Sequence, residues 1–154
     1  MAPADLGAMA WLARHATRTS VVVDDEDGAH PELFDVAIDA GRWLPLLGGG
    51  SPLFGQGGSG PGPLHDRLYL LQHITDVPLP TRAARFMARY HVEYVFYGAA
   101  VPPRATRHFN LKRLLADPHL RLVYASAPLC RPDSTHGTTA CVPAGSYIFA
   151  VDSV

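Results

Sequence analysis

Apolar and polar positions alternate most regularly between Thr81 and Gly98. Ala83, Phe86, Met87 and Tyr90 fall at i, i+3, i+4 and i+7, with Arg82, Arg85 and Arg89 on the opposite side, which predicts an amphipathic helix with one buried stripe. At Val92 the period changes. Val92, Tyr94, Val95, Phe96 and Tyr97 form a β-branched and aromatic run closed by Gly98, as expected of a strand covered on both faces. Thr19 to Asp24, with Val21, Val22 and Val23 at its centre, predicts a second such strand, and the two should be adjacent in the middle of a sheet.

Around these two strands the chain reads as alternating helix and strand. Asp5 is placed to cap a first helix with Leu6, Met9, Ala10 and Ala13 as its stripe, and His30-Pro31 opens another carrying Leu33, Phe34, Ala37 and Ile38. Arg42 to Leu47 suits a short strand ending near Pro45, and Gly48 to Pro63 a long Gly-, Ser- and Pro-rich loop. Leu64, Leu68, Leu71 and Ile74 mark a further helix, and Asn110 caps a short one that ends at Asp117-Pro118. Leu120 to Ser126 and Tyr147 to Val151 read as strands separated only by a loop, hence as an antiparallel hairpin at the sheet edge. The expected fold is a three-layer, Rossmann- or flavodoxin-like α/β sheet of about five strands, mostly parallel and ending in that hairpin.

Composition narrows the function classes. The 154 residues fit one domain spanning 1–154 with a single core. A net charge of −1 and a pI near 6.7 supply no overall field for nucleic acid or an anionic membrane. No run reaches the ~18 apolar residues that cross a bilayer, and the first twenty residues read as a capped helix and not as a signal peptide. A soluble domain cut from a larger protein is expected. Cys130 and Cys141 match no CxxC metal or redox spacing. Two unrelated buried thiols and a disulfide both fit; we expect the disulfide, which would staple the hairpin and imply an oxidising compartment.

Candidate chemistry is sparse. The Gly-rich loop lacks the Lys-Ser/Thr of a phosphate-binding loop, no GxSxG or HExxH occurs, and the eight histidines form no ligand spacing. No catalytic residue, metal or cofactor is assigned. In an open α/β sheet a ligand enters at the carboxyl ends of the strands. That rule selects a crevice between Asp24 to His30, the Gly48 to Gly50 turn and the Gly98 to Ala100 turn. There Asp24, Asp25 and Asp27 would accept hydrogen bonds from sugar hydroxyls, with His30 sharing the ligand role, and Trp43 or Phe54 would offer an apolar face to a pyranose ring. A small independent hydrolase or transferase working with Asp24, Asp27 and His30 is the alternative.

The stretches PADLGAMAWLARHATRTSVVVDDEDGAHPELF, RFMARYHVEYVFYG, LLADPHLRLVYAS and GSYIFAV resemble a known group. They are similar to the C-terminal extracytoplasmic domain of multi-spanning actinobacterial membrane proteins whose transmembrane part resembles GT-C type glycosyltransferases. Those enzymes use polyprenyl-phosphate sugars, and their catalytic carboxylates lie among membrane spans that this chain lacks. The resemblance therefore implies a non-catalytic accessory domain on the extracytoplasmic face. Its partners would be its own transmembrane region and a cell-envelope glycan or partner protein, with no nucleic acid.

Overall fold

The computed structural model describes residues 3–24, 50–53, 60–99, 109–127, 131–132, 139–140 and 145–152. The elements follow in the order α1 (Pro3–His15), β1 (Val21–Asp24), β2 (Ser51–Pro52), α2 (Leu64–His73), α3 (Thr81–Arg89), β3 (Val92–Tyr97), α4 (Leu111–Ala116), β4 (Leu120–Ala125), β5 (Arg131–Pro132), β6 (Thr139–Ala140) and β7 (Tyr147–Val151). Together they form a mixed α/β fold around one open sheet of order β2-β1-β3-β7-β4, with β5 and β6 paired separately. Four strands of four to six residues make the body of the sheet, and β2 adds two residues at one edge.

β1 and β3 lie side by side and parallel, with Val22 opposite Tyr94 and Asp24 opposite Phe96, as their apolar runs required. The antiparallel hairpin expected at the end of the chain is present as β4 and β7, with β4 at the sheet edge. β1 pairs in parallel with β2 and β3, but β7 runs antiparallel to both β3 and β4, so the sheet is mixed. A parallel return from β4 would need a crossover over the sheet, whereas a hairpin lets β7 insert directly beside β3. The sheet also has an edge strand that the sequence did not predict. It lies at Ser51–Pro52, inside the stretch expected to be loop, while Arg42 to Leu47 and the helix from His30 fall outside the described residues.

Alternation along the strands divides the core in two. Val21, Val23, Val95, Tyr97, Tyr147 and Phe149 pack with α2, α3 and α4 on one face. Val22, Phe96 and Ile148 pack with Ala8, Met9 and Leu12 of α1 on the other. α3 buries Ala83, Phe86 and Met87 as its period predicts. The stripe of α1 is rotated from that expected, turning Asp5, Ala8, Met9 and Leu12 inward and leaving Leu6 50% exposed, whereas α2 buries the expected Leu71, with Ile74 just past its end, and adds Arg67 and Leu70. Arg67 donates to the Leu53 carbonyl at 3.3 Å, tying the exit of β2 to α2. Among the described residues, no helix is long and apolar enough to cross a membrane.

Candidate functional site

The carboxyl ends of β1 and β3 meet the amino ends of α1 and β7. Helix α1 starts at Pro3, so Asp5 sits within its first turn, where the aligned backbone dipoles favour a negative charge. Its carboxylate is 3% exposed and reaches across the end of the sheet. There Asp5 Oδ1 accepts the Ala99 amide at 2.9 Å and the Ser146 hydroxyl at 2.6 Å, and Ser146 Oγ itself accepts from the Ala99 amide at 3.3 Å. The Ser146 amide donates to Ser126 Oγ at 2.7 Å, and the Ser126 amide returns a bond to the Ser146 carbonyl at 3.0 Å. One carboxylate and two hydroxyls thus join α1, the end of β3, the end of β4 and the start of β7.

This junction is a clamp between four elements. Ser146 is fully buried, and its hydroxyl proton is held on the Asp5 carboxylate. Each contact satisfies a buried polar group that would otherwise cost about 1–3 kcal/mol. Its chain order hides it from any periodic reading, because Asp5 and Ser146 stand 141 positions apart.

Of the residues proposed from the sequence, Asp24 lies at this same end, last in β1 and 2% exposed. Asp25, Asp27, His30, Trp43 and Phe54 fall outside the described residues, as do Cys130 and Cys141. Gly98 and Ala99 lie at the Asp24 end, as expected, since Phe96 is opposite Asp24. Gly50 does not. It precedes β2, which runs parallel to β1, so it sits at the amino end of the sheet, where its neighbours are Val22, the Ser20 carbonyl and Ala16. The three-sided crevice is therefore corrected: of its described turns, only the Gly98 turn shares the Asp24 end. Among the described residues no group of three His, Cys, Asp or Glu side chains is placed to hold a metal ion.

The opposite end carries its own polar and aromatic contacts. Ser20 Oγ donates to Glu93 Oε2 at 2.5 Å, and the Tyr94 hydroxyl donates to the His15 carbonyl at 3.3 Å. Burial, with the Glu93 charge adding, raises the Tyr94 phenol above its ordinary value. The Trp11 ring stacks on His15 at 3.9 Å and meets the Tyr94 ring edge-on at 5.8 Å.

No protein-family model matches the chain, and no curated protein sequence matches it. Among solved structures, its fold is similar to the C-terminal globular domain of an oligosaccharyltransferase from Archaeoglobus fulgidus. The TM-score is 0.55 at 13% identity, over 99% of this chain and 99% of that one. At that identity the likeness is one of fold.

Proposed function

We propose that the chain is a non-catalytic accessory domain of a glycosyltransferase-like membrane protein of the cell envelope. It would stand on the extracytoplasmic face, attached to its own transmembrane region, and contact a glycan or a partner protein. The observation that carries this reading is the match of the whole fold, end to end, to a globular domain taken from an oligosaccharyltransferase. The sequence resemblance to soluble domains of GT-C type proteins points the same way. In this reading residues 1–154 form one domain, Cys130 and Cys141 are bonded, and the ligand side is the Asp24 to His30 end with Trp43 and Phe54.

The test is cellular. An antibody against the chain should detect it in the membrane fraction, in a polypeptide well above 16.6 kDa, and protease added to intact spheroplasts should destroy the epitope. A soluble protein of about the chain's own mass, or an epitope protected until lysis, would overturn the proposal. For the ligand side, titrating the chain with arabinan, galactan and mannan fragments should move amide resonances near Asp24 to Gly28.

A further inference from the structure

The near-neutral total conceals an uneven distribution of charge. Residues 64–90 and 110–117, which carry α2, α3 and α4, hold six Lys and Arg against three Asp, a net +3 in a chain whose total is −1. All three helices pack on the same face of the sheet. Helix α3 contains no acidic residue, and its exposed Arg82, Arg85 and Arg89 stand at i, i+3 and i+7 opposite the buried Ala83, Phe86 and Met87. The row spans roughly 10 Å along the helix.

Two of the three guanidiniums lie over aromatic rings. Arg82 is 4.4 Å from the centre of the Tyr69 ring, and Arg89 is 5.4 Å from that of Tyr90. Side chains held this way lose less rotamer freedom when they meet an anion. Asp66 neutralises Arg82 at 2.7 Å, and Asp76 lies 3.9 Å from Arg113. Among the described residues, Arg85 and Arg89 have no carboxylate partner. Like charges at i and i+4 disfavour their own helix slightly, so the chain carries this pair without internal compensation.

We propose that this surface rests on the anionic headgroup plane of a lipid bilayer. A flat row of arginines on an outward helix face complements a plane of phosphates, and guanidinium is the side chain best matched to phosphate geometry. The inference rests on the proposed membrane attachment and adds to it an orientation, with α3 toward the lipid and α1 away.

Sedimentation of the 154-residue chain with vesicles tests it, at an ionic strength of about 0.01 M, where screening reaches only beyond about 30 Å. The chain should pellet with phosphatidylcholine vesicles containing about one-third phosphatidylglycerol and stay in solution with phosphatidylcholine alone. Arg85→Gln with Arg89→Gln should lower the partition coefficient about fivefold per arginine removed. Arg14→Gln with Arg18→Gln, at the α1 end, should leave it unchanged, and circular dichroism of each pair confirms folding. Overturning results are no binding to the anionic vesicles, equal binding to neutral ones, an equal loss in the Arg14 and Arg18 pair, or tighter binding to duplex DNA at the same salt. A membrane-fractionated, protease-accessible protein that ignores anionic vesicles would refute this orientation and leave the accessory-domain reading standing.

Discussion

The two faces of the sheet are built differently from similar material. One is roofed by α2, α3 and α4 over a large apolar cluster that includes Leu70, Phe86, Leu114 and Phe149. Among the described residues the other has only α1, whose Ala8, Met9 and Leu12 meet Val22, Phe96 and Ile148, with Trp11, Tyr94, Val123 and Tyr124 partly exposed around them. A central sheet needs both faces covered, but a single helix about 10 Å wide cannot cover four strands spaced by about 4.8 Å. Among the described residues the thick face therefore holds most of the apolar packing and turns charge outward. The thin face ends in half-exposed aromatic rings.

The largest difference should appear on truncating two fully buried leucines, one on each face. Leu70→Ala opens a cavity among side chains from α2, α3 and the sheet that are themselves fixed, and should cost about 4 kcal/mol. Leu12→Ala sits beneath one helix that can settle toward the sheet, and should cost about 2.5 kcal/mol. Urea unfolding of both variants measures the gap. Equal losses would mean that the thin face is as rigidly packed as the thick one.

The same contrast separates what could be read from the sequence from what could not. Helix α3 was legible because its arginines oppose its apolar stripe, and β1 and β3 because strands buried on both faces carry unbroken apolar runs. The stripe of α1 was misplaced because that helix is apolar nearly all round: Leu6, Ala10 and Ala13 offer as good a period as Ala8, Met9 and Leu12. In α2 one of the buried positions belongs to Arg67, which an apolar pattern passes over. Two-residue β2 is too short for any period, and its bonds from the Ser51 amide to Ser20 and from the Leu53 amide to Val22 are visible only in three dimensions. Of the site, Asp24 was placed correctly at a strand end, whereas the Asp5–Ser146 clamp joins the two ends of the chain and has no local signal.

Next in size is the clamp, which fastens the thin face to the sheet. Asp5→Ala leaves the Ser146 hydroxyl without its acceptor and the Ala99 amide with only a 3.3 Å contact, and should cost about 2–3 kcal/mol. Asp5→Asn keeps an acceptor oxygen and should lose about half as much. Hydrogen exchange at Ala99 should accelerate strongly in the alanine variant. Unchanged protection there would show that Ser146 alone holds that amide.

Two glycines compare the faces at smaller scale. Gly62 has φ +66°, and a Cβ there would collide with the Tyr90 ring packed beside α3, so Gly62→Ala should cost about 2 kcal/mol. Gly7 lies within α1, where alanine is favoured by about 1 kcal/mol. Its added Cβ would meet only the Tyr124 hydroxyl, at 2.5 Å, the far end of a partly exposed side chain that can swing aside. The two effects nearly cancel, and Gly7→Ala should stay within about 1 kcal/mol of the parent in thermal unfolding. A loss as large as that of Gly62→Ala would mean that Tyr124 is held as firmly as Tyr90.

The smallest expected effect concerns the charged outer surface of the thick face. Arg82 donates from both Nε and Nη2 to Asp66 Oδ1, at 3.2 and 2.7 Å. This bond is the main cause that holds the Asp66 carboxyl below its ordinary 3.8. Burial opposes it, and the charges of His65, Arg82 and Arg89 add to it. A carboxyl whose pKa is depressed by folding lends stability that is present above its unfolded pKa and is lost as pH falls through the folded value, so the pair acts at pH 7 and fades in acid below about 4. Because the pair is exposed, its loss should barely change unfolding at neutral pH. The titration itself is the sharper readout. In Arg82→Gln the carboxyl carbon of Asp66 should titrate at higher pH than in the parent, approaching the ordinary value, and added salt should narrow the difference. If Asp66 titrates at the same pH in both proteins, His65 and Arg89 hold it down instead of Arg82. The counter-charge of the α3 row would then be shared along the surface, and Arg89 would be less available to a lipid phosphate than Arg85.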